Sequence, residues 1–278
     1  MRIPAAATQR LVTALLWLVA LCTVGILVFI VWHVLRQGIP VITWQFLSDS
    51  PRNMGREGGI FPIIVGTVYV TLVAVLIAAP LGVGSAVFLT EYTREGRLTR
   101  LIRFGADCLA GIPSIIYGLF GFVFFVIYLR LGWSILSGGL TLALMILPTI
   151  IRTSEEAIRA VPDQLREVAY GLGSAKSQTV ATVVLPQALP GIVTGLVLGI
   201  GRSISETAAV MLTAGASLRL PTSPFDSART MSYHFYILVR EGISMDMAYG
   251  TAAILIIVIL VINFVAYSLM HHLMARTK

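Results

Sequence analysis

Residues 167–186 read E-V-A-Y-G-L-G-S-A-K-S-Q-T-V-A-T-V-V-L-P and form the one long polar segment between two strongly apolar ones. Asp163, which follows Pro162, is placed to cap a helix that begins just before this stretch. Apolar side chains then recur at helical spacing, which predicts a short helix with one apolar stripe. The residues of this stripe are Leu165, Val168, Ala169 and Leu172.

A second short helix is predicted after a glycine turn. Gly171 and Gly173 end the first helix, because glycine can turn where other residues clash. Ser174 is placed to cap a helix that runs to Val184, and Pro186 predicts the end of that helix because proline lacks an amide hydrogen. An amphipathic helix held outside a membrane must bury its apolar face on lipid, on its own domain or in a partner's groove.

The spacing of this stretch resembles the cytoplasmic loop of ABC importer permeases. The pattern of that loop is Glu-Ala-Ala, three residues, Gly, nine residues, then Ile-x-Leu-Pro. The positions that match in register are Glu167, Ala169, Gly173, Leu185 and Pro186, with Val168 and Val183 in place of Ala and Ile. The resemblance implies that the loop docks into an ATPase subunit. The coupling residues would be Glu167, Ala169, Gly173, Leu165, Val168 and Leu172.

Composition predicts an integral membrane protein made of helices. Apolar residues make up 57% of the chain and charged residues 12%, with a mean hydropathy of +0.89, whereas soluble proteins carry about 25% charged residues. The net charge of +7 is dispersed among apolar segments and forms no stripe, which argues against a nucleic-acid partner. The two cysteines and four histidines match neither a disulfide framework nor a metal-ligand spacing.

Six apolar runs predict six transmembrane helices, since a bilayer core needs about 20 apolar residues. The runs are 11–35, 63–89, 104–129, 135–151, 192–214 and 251–270. The first run is too long for a signal peptide, whose apolar core has about 7–15 residues. We therefore expect an all-α protein with the ABC type-1 importer permease architecture that the resemblance implies.

Arginine and lysine predict the orientation of these helices. With the N-terminus inside, twelve basic residues fall on the inner side and seven on the outer side, while Arg202 lies in a span. This bias favours cytoplasmic N- and C-termini, and the resemblance to ABC importer permeases implies a bacterial inner membrane. The expected divisions are 1–62 (first helix and outer loop), 63–272 (five-helix core with the cytoplasmic coupling loop 153–190) and 273–278 (cytoplasmic tail).

The fifth run contains the candidate substrate path. Gly191, Gly195 and Gly199 share one helix face and allow another helix to approach closely. Arg202 and Glu206 lie four residues apart inside this apolar run, so on one helix they would reach each other. A charge at the bilayer centre costs about 2.5–3.5 kcal/mol on insertion scales, so such residues face the protein interior or water.

Two interpretations of this pair remain open on physical grounds. In the functional one, Arg202 offers an always-charged fork of donors that suits phosphate oxygens, Glu206 steadies it, and Ser203 and Ser205 supply hydroxyls. In the structural one, the two charges form an ion pair that ties the helix to its neighbours.

Residues 201–208, G-R-S-I-S-E-T-A, are similar to the Gly-Arg-Ala-x-Gly-Glu-Thr-Ala segment of phosphate importer permeases, departing from it at Ser203 and Ser205. The segments 58–67 and 112–121 also resemble that family. The resemblance, which is greatest for PstA-type subunits, implies a second permease of PstC type, two copies of a PstB-type ATPase and an external phosphate-binding protein of PstS type.

The chain is not expected to be an enzyme. A phosphate-binding loop needs Gly, four residues, then Gly-Lys-Ser/Thr, but Tyr170 and Ala175 stand where its glycines should be. ATP and magnesium would therefore bind the partner ATPase, and no cofactor or metal is expected on this chain. Two alternatives stay open: an importer of another oxyanion such as sulfate or molybdate, and a secondary transporter that uses Arg202 and Glu206.

Overall fold

The computed structural model describes residues 5–276, and the side chains of residues 9–268. Most of this part of the chain is helical. The α-helices are α1 (Ala5–Gly38), α2 (Trp44–Ser48), α3 (Phe61–Val87), α4 (Arg97–Ala110), α5 (Ser114–Gly121), α6 (Ile135–Arg159), α7 (Asp163–Gly171), α8 (Lys176–Thr179), α9 (Leu185–Ser205), α10 (Ala208–Thr213), α11 (Met231–Arg240) and α12 (Met245–Arg276).

Shorter elements complete these helices. Three π-helical segments continue α3, continue α5 and join α8 to α9; they are Phe88–Tyr92, Phe122–Tyr128 and Val180–Val184. Two 3-10 turns occupy Ile39–Val41 and Asn53–Gly55. The strands β1 (Pro51–Arg52) and β2 (Glu57–Gly58) pair antiparallel as a small hairpin between α2 and α3.

Five helical stretches of the described chain are long and apolar enough to cross a membrane: Gln9–Val41, Phe61–Tyr92, Ile135–Arg159, Lys176–Ser205 and Met245–Ser268. A sixth crossing results if the bent pair of α4 and α5 counts as one span. The all-α membrane fold expected from the sequence is confirmed. The proposed tail, 273–278, lies partly outside the described residues, and α12 continues through its first positions to Arg276.

The third span predicted at 104–129 is not one straight helix. α4 and the stretch Ser114–Tyr128 meet at an angle of 98°. The turn between them contains Gly111 and Pro113, and Pro113 adopts an extended ψ of 140° instead of a helical one. Proline fixes its own φ and lacks an amide hydrogen, so the helix restarts in a new direction. The first seven residues of the predicted span therefore belong to the amphipathic helix α4.

The fifth span also differs from its prediction at both ends. Pro186 does not end a helix, because the helical stretch Lys176–Ser205 passes through it without interruption. The π-helical segment Val180–Val184 lies directly before it, and such a widened turn can accommodate a proline. At the other end, α9 stops at Ser205, Glu206 is extended (φ −72°, ψ 131°), and α10 begins at Ala208.

The core is formed mainly by α3, α6 and α9. Gly191, Gly195 and Gly199 of α9 face α6, so another helix does approach this face closely, as the sequence predicts. A carbon added at Gly191 would lie 2.5 Å from Cβ of Ala157, and one added at Gly195 would overlap Thr153. Gly199 lies in ordinary contact distance of the α6 isoleucines. The buried residues where α3, α6 and α10 meet include Val70, Ala74, Ala78, Leu142, Ile146, Ile150, Ala209 and Val210.

Candidate functional site

Helix α7 presents an uncovered apolar edge. Val168 is 62% exposed and Leu172 is 83% exposed, and Glu167 on the same helix is also exposed. Ala169 is buried against the rest of the protein, and Leu165 is 38% exposed. The apolar stripe predicted from spacing is therefore divided: Ala169 faces the protein, whereas Val168 and Leu172 face outward. Exposed apolar side chains beside a charge are typical of a docking surface.

The turn after α7 is fixed by backbone hydrogen bonds. Gly173 has a φ of +83°, which glycine adopts without strain. Its amide donates to the carbonyl of Tyr170 at 2.9 Å, and the amide of Ser174 donates to that of Ala169 at 3.1 Å. This pairing is a Schellman C-cap, and it confirms that Gly171 and Gly173 end the helix.

The two capping predictions were wrong. Ser174 does not cap α8, because Ala175 occupies the cap position. Asp163 is the first residue of α7 instead of its cap, and its carboxylate accepts a hydrogen bond from Arg166 at 3.0 Å.

Arg166, which the sequence did not single out, joins α7 to two other helices. Its Nε and Nη2 donate to Oε1 of Glu91 at 3.1 and 2.8 Å. Nη1 and Nη2 also donate to the backbone carbonyls of Val161 (2.7 Å) and Ile158 (3.0 Å). Glu91 is 75 positions away in the sequence, and no spacing rule connects the two residues.

A second ionic cluster lies beside this pair. Glu155 forms ion pairs with Arg103 at 2.6 Å and with Arg159 at 3.1 Å, and Glu95 accepts hydrogen bonds from the same two arginines at 3.2 and 2.9 Å. Arg103, followed by Arg159, lowers the pKa of the exposed Glu95 carboxyl. Arg103, Glu155 and Arg159 also border a cavity of about 270 Å³ between α3, α4 and α6. Its lining carries equal numbers of acidic and basic side chains, so it offers no excess charge to an ion.

Arg202 lies in the last turn of α9 and is partly exposed. Among the described side chains, no carboxylate comes within 4.0 Å of its guanidinium. The ion pair expected from the spacing does not form, because the helix ends between the two residues. Glu206 instead accepts a hydrogen bond at Oε1 from the amide of Ala209 at 3.2 Å and so caps α10.

The two serines do not converge on Arg202. Ser203 is 3% exposed and follows Gly199 by four residues, so it shares the face that packs on α6. Its hydroxyl has no hydrogen-bond partner within the described part of the chain. Ser205 is exposed, and its hydroxyl donates to the carbonyl of Gly201 at 2.9 Å. Their place in a substrate path stays a prediction.

The described residues contain no group of three or more His, Cys, Asp or Glu that could hold a metal ion. The geometry therefore defines a helical multi-pass membrane protein with an outward apolar edge on α7 and a single arginine in an apolar helix. Neither feature is arranged for acid–base or nucleophilic catalysis.

Comparison with known proteins places this architecture in a family. Residues 78–278 match the model of the binding-protein-dependent transport system inner membrane component. The chain belongs to this family, whose members are membrane subunits of ABC importers and not catalytic proteins. It is accordingly a multi-pass inner-membrane permease, as the resemblance of residues 167–186 implied.

Two relatives and one solved structure illustrate the match. A probable ABC transporter permease protein, YqgI of Bacillus subtilis (strain 168), is 34% identical over 275 residues, covering 93% of this chain and 94% of the relative. The phosphate transport system permease protein PstA 1 of Mycobacterium tuberculosis (strain CDC 1551 / Oshkosh) is 36% identical over 247 residues, covering 86% and 81%. A crystal structure of a bacterial alginate ABC transporter with its periplasmic protein shares the fold, with a TM-score of 0.68, 15% identity and coverage of 94% and 93%.

Proposed function

We propose that this chain is the permease subunit of an ATP-driven importer of inorganic phosphate and forms half of the translocation pathway. The observation that carries the proposal is Arg202, a permanent cation in an apolar helix without a carboxylate within 4.0 Å among the described residues. Its donors remain available to an anion, and a guanidinium matches phosphate oxygens two at a time. The identity of 36% to a phosphate transport permease supports phosphate over other anions.

The energy for transport would enter through α7. Val168 and Leu172 offer apolar surface, and Glu167 offers a charge beside it. We propose that this edge docks into a PstB-type ATPase, two copies of which would serve the complex. ATP and magnesium would bind there, while this chain would carry no cofactor and hydrolyse nothing.

Three further elements complete the proposed assembly. A second permease of PstC type would supply the other half of the pathway, and a PstS-type phosphate-binding protein would deliver the anion from outside. The lipid bilayer would surround the apolar helices, with both termini and α7 on the cytoplasmic side, in line with the positive-inside bias of the loops.

Reconstitution tests the proposal. The chain is co-expressed with its candidate partners, purified and placed in liposomes with ATP inside and binding protein outside. We expect an ATPase and a second permease to co-purify, and phosphate to accumulate only with ATP. Accumulation of sulfate or molybdate instead would assign the chain to another oxyanion. Vanadate-insensitive uptake by the chain alone would make it a secondary transporter and overturn the proposal.

A further inference from the structure

The last turns of α3 are held by both helices that precede α9. The π-helical segment Phe88–Tyr92 ends with Glu91 and Tyr92. Glu91 receives two hydrogen bonds from Arg166 of α7. The ammonium of Lys176, at the start of α8, lies 5.4 Å from the ring centroid of Tyr92, within the range of a cation–π contact. Two successive residues of this π-helical continuation of α3 therefore each contact one helix of the α7–α8 segment (residues 163–179).

The contact of Arg166 is largely hidden from solvent. The side chain of Arg166 is 13% exposed and that of Glu91 is 7% exposed. A pair so enclosed is screened little by salt, and loss of either partner would leave a buried charge without compensation. By contrast, Asp163, which also accepts from Arg166, is 89% exposed, so solvent weakens that bond.

The same guanidinium also closes the end of α6. The last four carbonyls of any helix lack partners within it. Arg166 donates to Ile158, in the last turn of α6, and to Val161 in the short connection that follows. A cation at this place is also favoured by the helix dipole. One side chain of α7 thereby holds the ends of α3 and α6, which pack closely where Gly82 meets Ile150.

We infer that Arg166 and Glu91 form the link through which a displacement of α7 reaches α3 and α6, so that the three ends move as one body. The inference rests on the proposed function in that an ATPase is taken to move α7. The connection from α6 to α7 is only Ala160 to Pro162. This connection has too few residues for α6 and α7 to move apart, but it can bend. The hydrogen bonds of Arg166 prevent that bending. Arg166 is thus a positioning residue and touches no substrate.

Distance measurements test the link without reference to the cargo. Spin labels are placed on α7 and α3 through Gln164→Cys and Phe88→Cys, both exposed positions, after replacement of the exposed Cys22 and Cys108 by serine. In the purified complex with its ATPase, we expect one narrow distance that is the same without nucleotide and with ATP and vanadate. In Arg166→Gln, we expect a broadened distance that changes with nucleotide.

Transport supplies the second readout. We expect Arg166→Gln to lower the phosphate carried per ATP hydrolysed by about tenfold, within the range usual for coupling between sites, while ATP hydrolysis itself continues. Asp163→Asn removes only the charge of the exposed partner and should match wild type in both measurements. If Arg166→Gln does not assemble, Arg166→Lys serves instead, because one ammonium cannot reproduce the fork that holds Glu91 and two carbonyls.

The outcomes separate the link from the proposed function. An unchanged narrow distance and an unchanged coupling ratio in Arg166→Gln, or in Arg166→Lys if that variant is used, would overturn the link. A wild-type distance that itself shifts with nucleotide would overturn it as well. If the wild-type complex shows the fixed distance but accumulates no phosphate, the proposed cargo is wrong and the link stands.

Discussion

Arg166 and Glu91 lie 75 positions apart in the chain, yet Arg166 Nη2 lies 2.8 Å from Glu91 Oε1 in a largely buried contact. The first residue belongs to the short helix with the exposed apolar edge, and the second belongs to the end of a long apolar helix. A buried ion pair is expensive to form and is tolerated where further hydrogen bonds satisfy both partners. Here the carbonyls of Ile158 and Val161 accept further hydrogen bonds from the arginine, and Glu91 accepts two from it.

Glu91→Ala should destabilise the protein strongly. It leaves the Arg166 guanidinium buried with only carbonyl partners and the exposed Asp163, and breaking a buried pair typically costs about 3–5 kcal/mol. Asp163→Ala removes the exposed partner of the same arginine and should cost about 1 kcal/mol or less. Thermal unfolding of the purified protein in detergent measures both. Equal losses in the two variants would contradict the burial argument.

Gly191→Ala should push α9 away from α6. The added methyl would lie 2.5 Å from Cβ of Ala157, a group that has no rotamer in which to move aside. Overpacking of this kind costs about 1–3 kcal/mol. Gly201→Ala, in the same helix with no atom within 4 Å of the new methyl, serves as the control and should be neutral or stabilising. Adding Ala157→Gly should restore the unfolding temperature of Gly191→Ala, and failure to do so would refute the contact.

His234 should make the protein less stable in mild acid. The ring is 1% exposed in α11 and packs against the backbone of Gly55. Burial first, and the nearby charge of Arg229 second, lower the pKa of His234 from 6.5 to about 3. Unfolded chains therefore take up a proton that folded chains exclude, so the stability present above pH 6.5 is lost as the pH falls from 6.5 towards 3.

Between pH 7.5 and 5.5 this single group should cost about 1 kcal/mol of stability. His234→Gln has no proton to take up, so its unfolding temperature should vary less over that range than that of wild type. Thermal unfolding at the two pH values, in the same detergent, makes the comparison. Parallel pH profiles for the two proteins would show that the ring is not held neutral.

The helical type of the elements and the approximate positions of the apolar spans were readable from the sequence because long apolar runs and a 3.6-residue stripe are local signals. The positions where these helices are interrupted were not readable from the sequence. Apolarity continues across Pro113 and across Thr207, and only the backbone shows that the chain turns at the first and leaves the helix before the second. Pro186 was wrongly predicted to end a helix, because the π-helical segment before it accommodates the proline within one continuous helix.

The candidate site, too, was predicted only in part from the sequence. The apolar stripe and the turn at Gly173 follow from local spacing, and the structure confirms the turn. That Val168 and Leu172 are exposed while Ala169 is buried is shown only by the structure. The pairing of Arg202 with Glu206 was inferred from a four-residue interval and fails because the helix stops at Ser205. The pairing of Glu91 with Arg166 could not be predicted from spacing, because it depends on the tertiary packing of α3, α6 and α7.

Because no carboxylate of the described residues lies beside Arg202, we expect substitutions of this arginine to lower the rate of phosphate uptake. A paired arginine would have to break an ion pair before binding an anion, whereas Arg202, with no carboxylate within 4.0 Å among the described residues, would not. Arg202→Gln should therefore reduce ATP-driven phosphate uptake by at least about tenfold, the loss that corresponds to one charge-assisted contact. Arg202→Lys, which keeps the charge but not the planar fork of donors, should retain part of the uptake.

Arg219→Gln, at an exposed position, is the control and should transport like wild type. Glu206→Gln adds a further distinction: its amide oxygen still caps α10 at Ala209, so uptake should change less than in Arg202→Gln. Initial rates of phosphate uptake in liposomes measure all four variants, with co-purification of the ATPase as the check on assembly. Wild-type uptake by Arg202→Gln would remove this arginine from the path.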